Sequence, residues 1–194
     1  MGPLKGIKVL EFSGIGPGPY CGMLLADMGA DVIRVNRIND KDKQNKFDIH
    51  NRSKRSIVAD LKNPNSINEL LKLISSVDVV FEGFRPGVME KLGLGPDECF
   101  KQNKALVYGR MTGWGQDGPM SKMAGHDINY IGLSGALHAI GKKDSNPTIP
   151  LNLIGDYGGG GMMLAMGILA AVISSMKTGK GQVIDSAMID GSLS

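Results

Sequence analysis

Two residues in this 194-residue chain have the side chains and the surroundings for proton transfer, His126 and Asp156. His126 is one of three histidines and lies in a Gly-His-Asp sequence that follows a glycine-rich loop. Asp156 stands between an apolar run, residues 151–155, and four consecutive glycines, residues 158–161. An imidazole and a carboxylate that face each other across a small gap can remove a proton from one side of a carbon atom and return one to the other side. A lone histidine is more often structural than catalytic, and Asp156 also fits a helix N-cap, so both interpretations stay open at this point.

Other chemistries fit these side chains less well. His126, Asp127 and Asp156 match no spacing typical of a metal site, so the sequence predicts none. A serine-hydrolase triad requires a nucleophile elbow, which the sequence lacks. Cys21 and Cys99 have no metal-ligand spacing, and they neither require nor exclude a disulfide. Proton transfer is therefore the chemistry that the candidate residues favour.

Short apolar segments alternate with helical patterns along the chain. This alternation predicts an α/β fold, a Rossmann-like open parallel sheet with helices on both faces. Residues 151–157 are apolar enough for a further buried strand, which would place Asp156 where a strand end meets a helix start. Predicted helices include residues 20–28 and 63–74. The other predicted strands are residues 7–12, 31–35, 56–61, 77–82, 105–110 and 183–185.

The first strand–glycine turn–helix unit raises the question of a nicotinamide cofactor. The turn, residues 13–19, does not match the dinucleotide fingerprint, because its glycines are spaced differently and two prolines interrupt it. The second strand ends in Asn36-Arg37, where an NAD site requires an acidic residue. Arg37 is suited to a phosphate, so a 2′-phosphate or another phosphorylated nucleotide stays open, and an NADP dehydrogenase is a minor alternative.

Positive charge is concentrated in one part of the chain. Between Arg34 and Lys62 there are nine basic and four acidic residues, whereas the formal charge of the whole chain is +3. Aromatic residues are 5% of the chain, and none interleaves the basic cluster at residues 52–55 as a stacking platform for bases requires. The charge pattern therefore favours a phosphorylated small ligand and no nucleic acid.

The uncharged run at residues 157–176 is long enough to span a membrane. Its first third is glycine and it follows a strand-like segment, so we expect a buried helix and no membrane span. The first residues contain neither a secretory apolar core nor an Arg-rich transit pattern. On these grounds the expected location is intracellular, cytoplasmic by default.

Six motifs, in one order along the chain, resemble the amino-terminal half of the family III CoA-transferase superfamily and, within it, the α-methylacyl-CoA racemases. The resemblance extends over essentially all 194 residues. The motifs are residues 9–19, 25–30, 54–56, 84–88, 125–130 and 179–182.

The resemblance implies roles for particular positions. His126 and Asp156 correspond to the two acid/base residues of the racemases. Related transferases use the same Asp as a nucleophile and generally lack the His, so His126 favours a racemase. Lys91 stands where relatives often have Arg; it keeps the charge but loses the bidentate fork. The implied CoA contacts are Arg37, Ala59, Asp60, Leu61, Lys62, Gly83, Phe84, Arg85, Lys91, Gly125, Asp127, Ile128, Asn129 and Tyr130.

The implied reaction is the epimerisation of 2-methyl-branched acyl-CoA thioesters through an enolate. The resemblance implies no separate cofactor, because CoA is carried as part of the substrate. It also implies a homodimer in a full-length form and a mitochondrial or peroxisomal location. Family members are nearly twice as long, so we expect residues 1–194 to be the amino-terminal part of the CoA-binding large domain, without the small domain and the returning carboxy-terminal segment. Alternatives are a CoA-transferase with Asp156 as covalent nucleophile and a catalytically inactive CoA-binding module.

Overall fold

A six-stranded parallel sheet forms the centre of the molecule, with the strand order β3-β2-β1-β4-β5-β6. The computed structural model describes residues 2–12, 14–38 and 47–194. Every neighbouring pair of strands is parallel, which confirms the predicted Rossmann-like α/β sheet. The strands are β1 (Lys8–Phe12), β2 (Asp31–Asn36), β3 (Arg55–Val58), β4 (Val79–Glu82), β5 (Val107–Thr112) and β6 (Gln182–Ala187).

Helices cover both faces of the sheet. Two apolar cores result: one lies between the sheet and α1 and α6, and the other lies between the sheet and α2, α3 and α4. The α-helices are α1 (Pro17–Asp27), α2 (Pro64–Ile74), α3 (Val88–Lys91), α4 (Pro96–Gln102), α5 (Asp127–Ser134), α6 (Met163–Thr178) and α7 (Met188–Leu193). Short 3-10 helices cover Ile49–Asn51 and Ala136–Ala139, and a π-helix, Leu153–Met162, leads directly into α6.

The central strands are apolar on both sides because both faces are covered. In β4, Val79 and Phe81 belong to the core under α1 and α6, whereas Val80 belongs to the opposite core. Strands buried on both faces contain continuous apolar runs instead of alternating ones. This is why the sequence pattern located them well.

The direction of chain travel reverses next to β1. The chain builds β1, β2 and β3 towards one edge and then returns to place β4 on the other side of β1. The connections that leave β1 and β4 therefore diverge at the carboxyl edge of the sheet, and such a divergence opens the crevice in which α/β sheets bind ligands.

The predicted strand at residues 151–157 is wrong. Leu151 has a φ of 59°, and the π-helix begins two residues later. A short apolar run does not distinguish a buried strand from a buried helical segment, and here the run continues into a long helix.

The continuous helical segment Leu153–Thr178 is, by length and composition, apolar enough to cross a membrane, with a mean hydropathy of 1.7. Half of its most apolar window is buried within the protein. Leu164, Ile168 and Val172 of α6 lie in the core against the sheet. Their burial agrees with the expectation of a core helix.

Candidate functional site

Asp156 lies inside the π-helix, four residues after the N-cap residue Asn152. It is therefore not the helix N-cap. Asn152 Nδ2 lies 3.4 Å from Asp156 Oδ2, a contact that the i, i+4 spacing of a helical segment allows. π-Helical turns are rare in proteins and frequently occur at functional sites.

The surroundings of Asp156 favour its protonated form. The carboxyl group is half-buried, and this burial is the main cause that raises its pKa. The hydrogen bond from Asn152 lowers the pKa, the negative charge of Asp127 raises it, and His126 lowers it. No ion pair among the described residues includes Asp156. The carboxyl group of Asp156 therefore binds a proton more tightly than a solvent-exposed carboxyl group does.

His126 is positioned by the start of α5. Its backbone N–H donates to Asn129 Oδ1 at 2.9 Å, and its carbonyl accepts from the Asn129 N–H at 2.8 Å. These two bonds fix the backbone from which the imidazole projects, and the residue is exposed. Asp127, the residue that follows His126, accepts the backbone N–H of Asp156 at 2.7 Å. The fold therefore brings the two predicted acid/base residues into one site.

The remaining side chains of the 125–130 motif divide into two groups. Asp127 and Tyr130 are buried, whereas Ile128 and Asn129 are exposed. Asp127 Oδ2 accepts the backbone N–H of Asp156 at 2.7 Å. The Tyr130 ring packs on Trp114 with a centroid distance of 4.7 Å, and burial raises the pKa of its phenol to about 12. Two of the positions predicted to contact CoA thus direct their side chains into the protein.

The glycine run after Asp156 packs against helices. A Cβ atom on Gly160 would lie 2.9 Å from Met188 Cγ of α7, and one on Gly161 would lie 2.6 Å from the Pro17 carbonyl oxygen of α1. The glycines at these positions therefore allow close helix–helix contact. Close approach occurs at Gly16, in the turn after β1, where a Cβ atom would lie 3.2 Å from Asp156 Oδ2.

A second group of predicted positions lies at the carboxyl ends of β2, β3 and β4. The Arg37 guanidinium stands 5.4 Å from the centre of the Phe84 ring, which joins the ends of β2 and β4. Asp60 Oδ1 accepts the backbone N–H of Lys62 at 2.9 Å and so forms a tight turn after β3. Ala59 and Leu61 are half-buried beside this turn, and Gly83 is exposed after β4. The cations at this edge are exposed: Arg37, Lys62, Arg85 and Lys91.

Three polar residues of the site had no signal in the sequence analysis. Glu82 ends β4; its Oε2 accepts the Phe84 N–H at 2.7 Å, and burial raises its pKa to about 7. Asn152 was hidden because its segment resembled a strand. Tyr157 follows Asp156, and its hydroxyl lies 3.2 Å from His50 Nε2. The Tyr157–His50 contact spans 107 positions of sequence, so local pattern could not reveal it.

A metal site finds no support in the described part of the chain. No group of three or more His, Cys, Asp and Glu side chains is arranged there to hold an ion. Cys21 and Cys99 are buried free thiols.

Comparisons with known proteins agree with this architecture. α-Methylacyl-CoA racemase of Homo sapiens is 49% identical over 190 residues, which are 97% of this chain and 48% of the racemase. Succinate–glutarate CoA-transferase of Agrobacterium fabrum is 36% identical over 206 residues, which are 97% of this chain and 51% of the transferase. A crystal structure of a CAIB/BAIF family protein from Brucella suis superposes with a TM-score of 0.89 at 33% identity, over 99% of this chain and 55% of that one. The chain thus spans about half the length of these relatives. The model of CoA-transferase family III matches residues 4–194, and the chain belongs to this family.

Proposed function

We propose that this chain carries the two acid/base residues of an enzyme that interconverts the R and S forms of 2-methyl-branched acyl-CoA thioesters. The observation that carries the proposal is the hydrogen bond from the Asp156 N–H to the carboxylate of Asp127, the residue after His126, because it joins the segments of the two candidate bases. The identity with the Homo sapiens racemase supports the same reaction.

The chemistry requires one base for each face of the α-carbon. One group removes the α-proton, and the electron pair moves into the thioester carbonyl to form a planar enolate. The other group, protonated beforehand, gives its proton to the opposite face, and the carbonyl forms again with inverted configuration. Backbone N–H groups near the start of α5 are suited to stabilise the enolate oxygen.

CoA binding is proposed at the carboxyl ends of β2, β3 and β4. Arg37, Lys62, Arg85 and Lys91 supply exposed positive charge for the phosphates of CoA. CoA is part of the substrate, so no separate cofactor is proposed. We also propose that the chain is the amino-terminal part of a CoA-binding large domain that works as a homodimer in a full-length form, in an intracellular compartment.

Deuterium exchange tests the reaction. The protein that contains this chain is incubated in D2O with each enantiomer of a 2-methylacyl-CoA, and label at the α-carbon is measured. We expect exchange with both enantiomers, and a loss of about 10²–10⁴-fold in racemisation for Asp156→Asn and for His126→Ala. Each variant should impair exchange of one enantiomer more than the other, because each base serves one face. His138→Ala is the matched control, because His138 is an exposed histidine in the 3-10 helix after α5.

A CoA-transferase is the second candidate, because a relative that is 36% identical is a succinate–glutarate CoA-transferase. In that reaction Asp156 would form an acyl anhydride and then a CoA thioester. Trapping of Asp156 as a hydroxamate by hydroxylamine, without α-exchange, would establish the transferase and refute the epimerase. CoA binding with neither reaction would indicate an inactive CoA-binding module.

A further inference from the structure

The side chain of Asp127 is almost completely buried beside the candidate catalytic carboxyl group. It is 6% exposed, and its Oδ2 accepts the backbone N–H of Asp156 at 2.7 Å. Its Oδ1 is also buried and has no hydrogen-bond partner among the described residues. A buried carboxylate oxygen without a partner is costly, so its retention requires an explanation.

This hydrogen bond joins the two elements that carry the candidate bases. Asp127 is the first residue of α5 and directly follows His126, whereas Asp156 belongs to the π-helix. The carboxylate has little freedom, because a Cβ atom on Gly155 would lie 2.8 Å from Asp127 Oδ2. A displacement of Asp127 would therefore move both bases relative to each other.

The site contains negative charge without a fixed cation. Within the described residues, neither Asp127 nor Asp156 takes part in an ion pair. The turn before α1 contributes the uncharged Gly16, and the π-helix contributes the neutral Asn152. Charged groups on neighbouring elements have other partners: Asp27 of α1 pairs with Arg52, Arg110 of β5 pairs with Glu90, and Asp185 of β6 accepts the Gln116 N–H. Asp190 of α7 raises the pKa of Asp185, and Lys177 lies in the last turn of α6.

We propose that Asp127 is a positioning residue for the proposed epimerisation: its carboxylate fixes the backbone of Asp156 relative to the start of α5, and its buried negative charge lies beside the Asp156 segment. This inference rests on the proposed function. In each turnover one base gains the proton from carbon while the other gives its proton to carbon, so the site must hold one exchangeable proton at the start and at the end. The buried anion raises the pKa of Asp156 and so favours the form in which Asp156 holds this proton.

The inference also assigns a different role to Asp127 from the one that the family resemblance implied. The side chain faces Asp156 and Gly155, not solvent, so a contact of Asp127 with CoA would be made by its backbone. Loss of the carboxylate should therefore reduce kcat much more than it raises KM.

Two variants separate the hydrogen bond from the charge. Asp127→Asn keeps an oxygen that accepts the Asp156 N–H and removes the charge. Asp127→Ala removes both. Asp185→Asn is the matched control, because Asp185 Oδ2 also accepts a backbone N–H from another segment, at 3.3 Å from Gln116 N. Titration of the Asp156 carboxyl carbon by NMR reports the charge effect without any need for activity, and hydrogen exchange of the Asp156 amide reports the hydrogen bond.

In Asp127→Asn we expect the Asp156 titration and the acid limb of the kcat–pH profile to move to lower pH, with the Asp156 amide still protected. In Asp127→Ala we expect the same direction, loss of amide protection, and a fall in kcat of about tenfold or more from the lost charge-assisted hydrogen bond. Asp185→Asn should change none of these quantities.

The outcomes distinguish this inference from the proposed function. An Asp156 titration that stays in place in Asp127→Asn, together with a raised KM for acyl-CoA, would overturn the positioning role. If the wild-type protein shows no α-exchange, the epimerase proposal fails and the positioning role of Asp127 in that reaction fails with it, whereas a shifted Asp156 titration would still establish the charge coupling. If Asp127→Ala does not fold, Asp127→Asn alone decides the question.

Discussion

Two buried carboxylates in this molecule have opposite surroundings. Glu11 of β1 is fully buried, and its Oε2 lies 2.6 Å from Lys54 Nζ, whose side chain is 2% exposed. Asp127 is buried beside Asp156 without such a partner in the described residues. Glu11 and Asp127 each keep one buried oxygen without a hydrogen bond. The two regions therefore differ in whether a cation lies beside the buried carboxylate.

The Glu11–Lys54 pair has the arrangement of a structural ion pair. Lys54 Nζ also donates to the Pro19 carbonyl oxygen of α1 at 2.9 Å, so one ammonium group joins β1, α1 and the segment before β3. Burial raises the pKa of Glu11 and lowers that of Lys54, and the attraction between the two groups opposes both shifts. No such cation lies beside Asp127 among the described residues, and its negative charge instead raises the pKa of Asp156. The buried charges of Glu11 and Lys54 hold structural elements together, whereas the Asp127–Asp156 region is suited to proton transfer.

Loss of the cation at Lys54 should have the largest effect on folding. Lys54→Met leaves the buried Glu11 with the more distant cation Arg34, whose Nε lies 4.0 Å from Glu11 Oε1, and we expect the free energy of unfolding to fall by about 3–5 kcal/mol, measured by urea denaturation. The double variant Glu11→Gln/Lys54→Met is the control and should recover much of this loss. If the free energy of unfolding of Lys54→Met fell by less than about 1 kcal/mol, the Glu11–Lys54 pair would not be structural.

Each carboxylate is also confined by a glycine, which provides a matched test. A Cβ atom on Gly22 would collide with Glu11 Oε2 and lie 2.8 Å from Lys54 Nζ, and one on Gly155 would lie 2.8 Å from Asp127 Oδ2. We expect Gly22→Ala to destabilise the fold by about 1–3 kcal/mol through overpacking. Gly155→Ala should reduce α-exchange more than it reduces stability, because it displaces Asp127.

The control for both glycine variants is Gly132→Ala in α5, where a Cβ atom would have no neighbour within 4 Å. It should leave stability unchanged or raise it slightly, because Ala is the better helix former. Equal losses of stability in Gly22→Ala and Gly155→Ala, with exchange unaffected, would mean that the two regions do not differ in the proposed way.

Glu82 provides an intermediate case, since it is buried near Arg110 without a direct ion pair among the described residues. Burial raises its pKa from 4.5 to about 7. The folded state therefore binds the proton more tightly than the unfolded chain, so stability falls as the pH rises from 4.5 through about 7 and is constant above. Glu82→Gln still accepts the Phe84 N–H and should remove this fall, by roughly 2–3 kcal/mol between pH 5 and pH 8 in urea denaturation. Identical pH dependence in wild type and variant would contradict the assignment.

The strands of the sheet could be predicted well because each of them is marked by a pattern of residues that are neighbours in the sequence. Runs such as the one in β4 contain the apolar residues that two covered faces require, and glycines mark their ends. His126 and Asp156 could be selected because few residues of their types have such neighbours. The π-helix was missed because a short apolar run is compatible with strand and helix.

The inward direction of Asp127 could not be read from the chain. It depends on Gly155, 28 positions away, which leaves room for the carboxylate. The Glu11–Lys54 pair is separated by 43 positions and was missed for the same reason. Composition indicates which charges exist, but burial and partners decide whether a charge stabilises the fold or holds a proton.

The smallest predicted effect concerns the stability of Asp156→Asn. Because burial raises the pKa of this carboxyl group in the folded state, the wild-type protein loses stability as the pH rises through that pKa. The amide has no charge to bury, so the variant should lack this loss and at neutral pH should equal or exceed the wild type, by less than about 1 kcal/mol. Urea denaturation at pH 5 and pH 8 measures the difference, with Glu11→Gln as the contrasting variant, which should destabilise the fold because it leaves Lys54 buried and unpaired. If Asp156→Asn were destabilised as strongly as Glu11→Gln, both carboxylates would be structural. A variant that loses α-exchange and keeps or gains stability would show that the charge of Asp156 is retained for chemistry and not for folding.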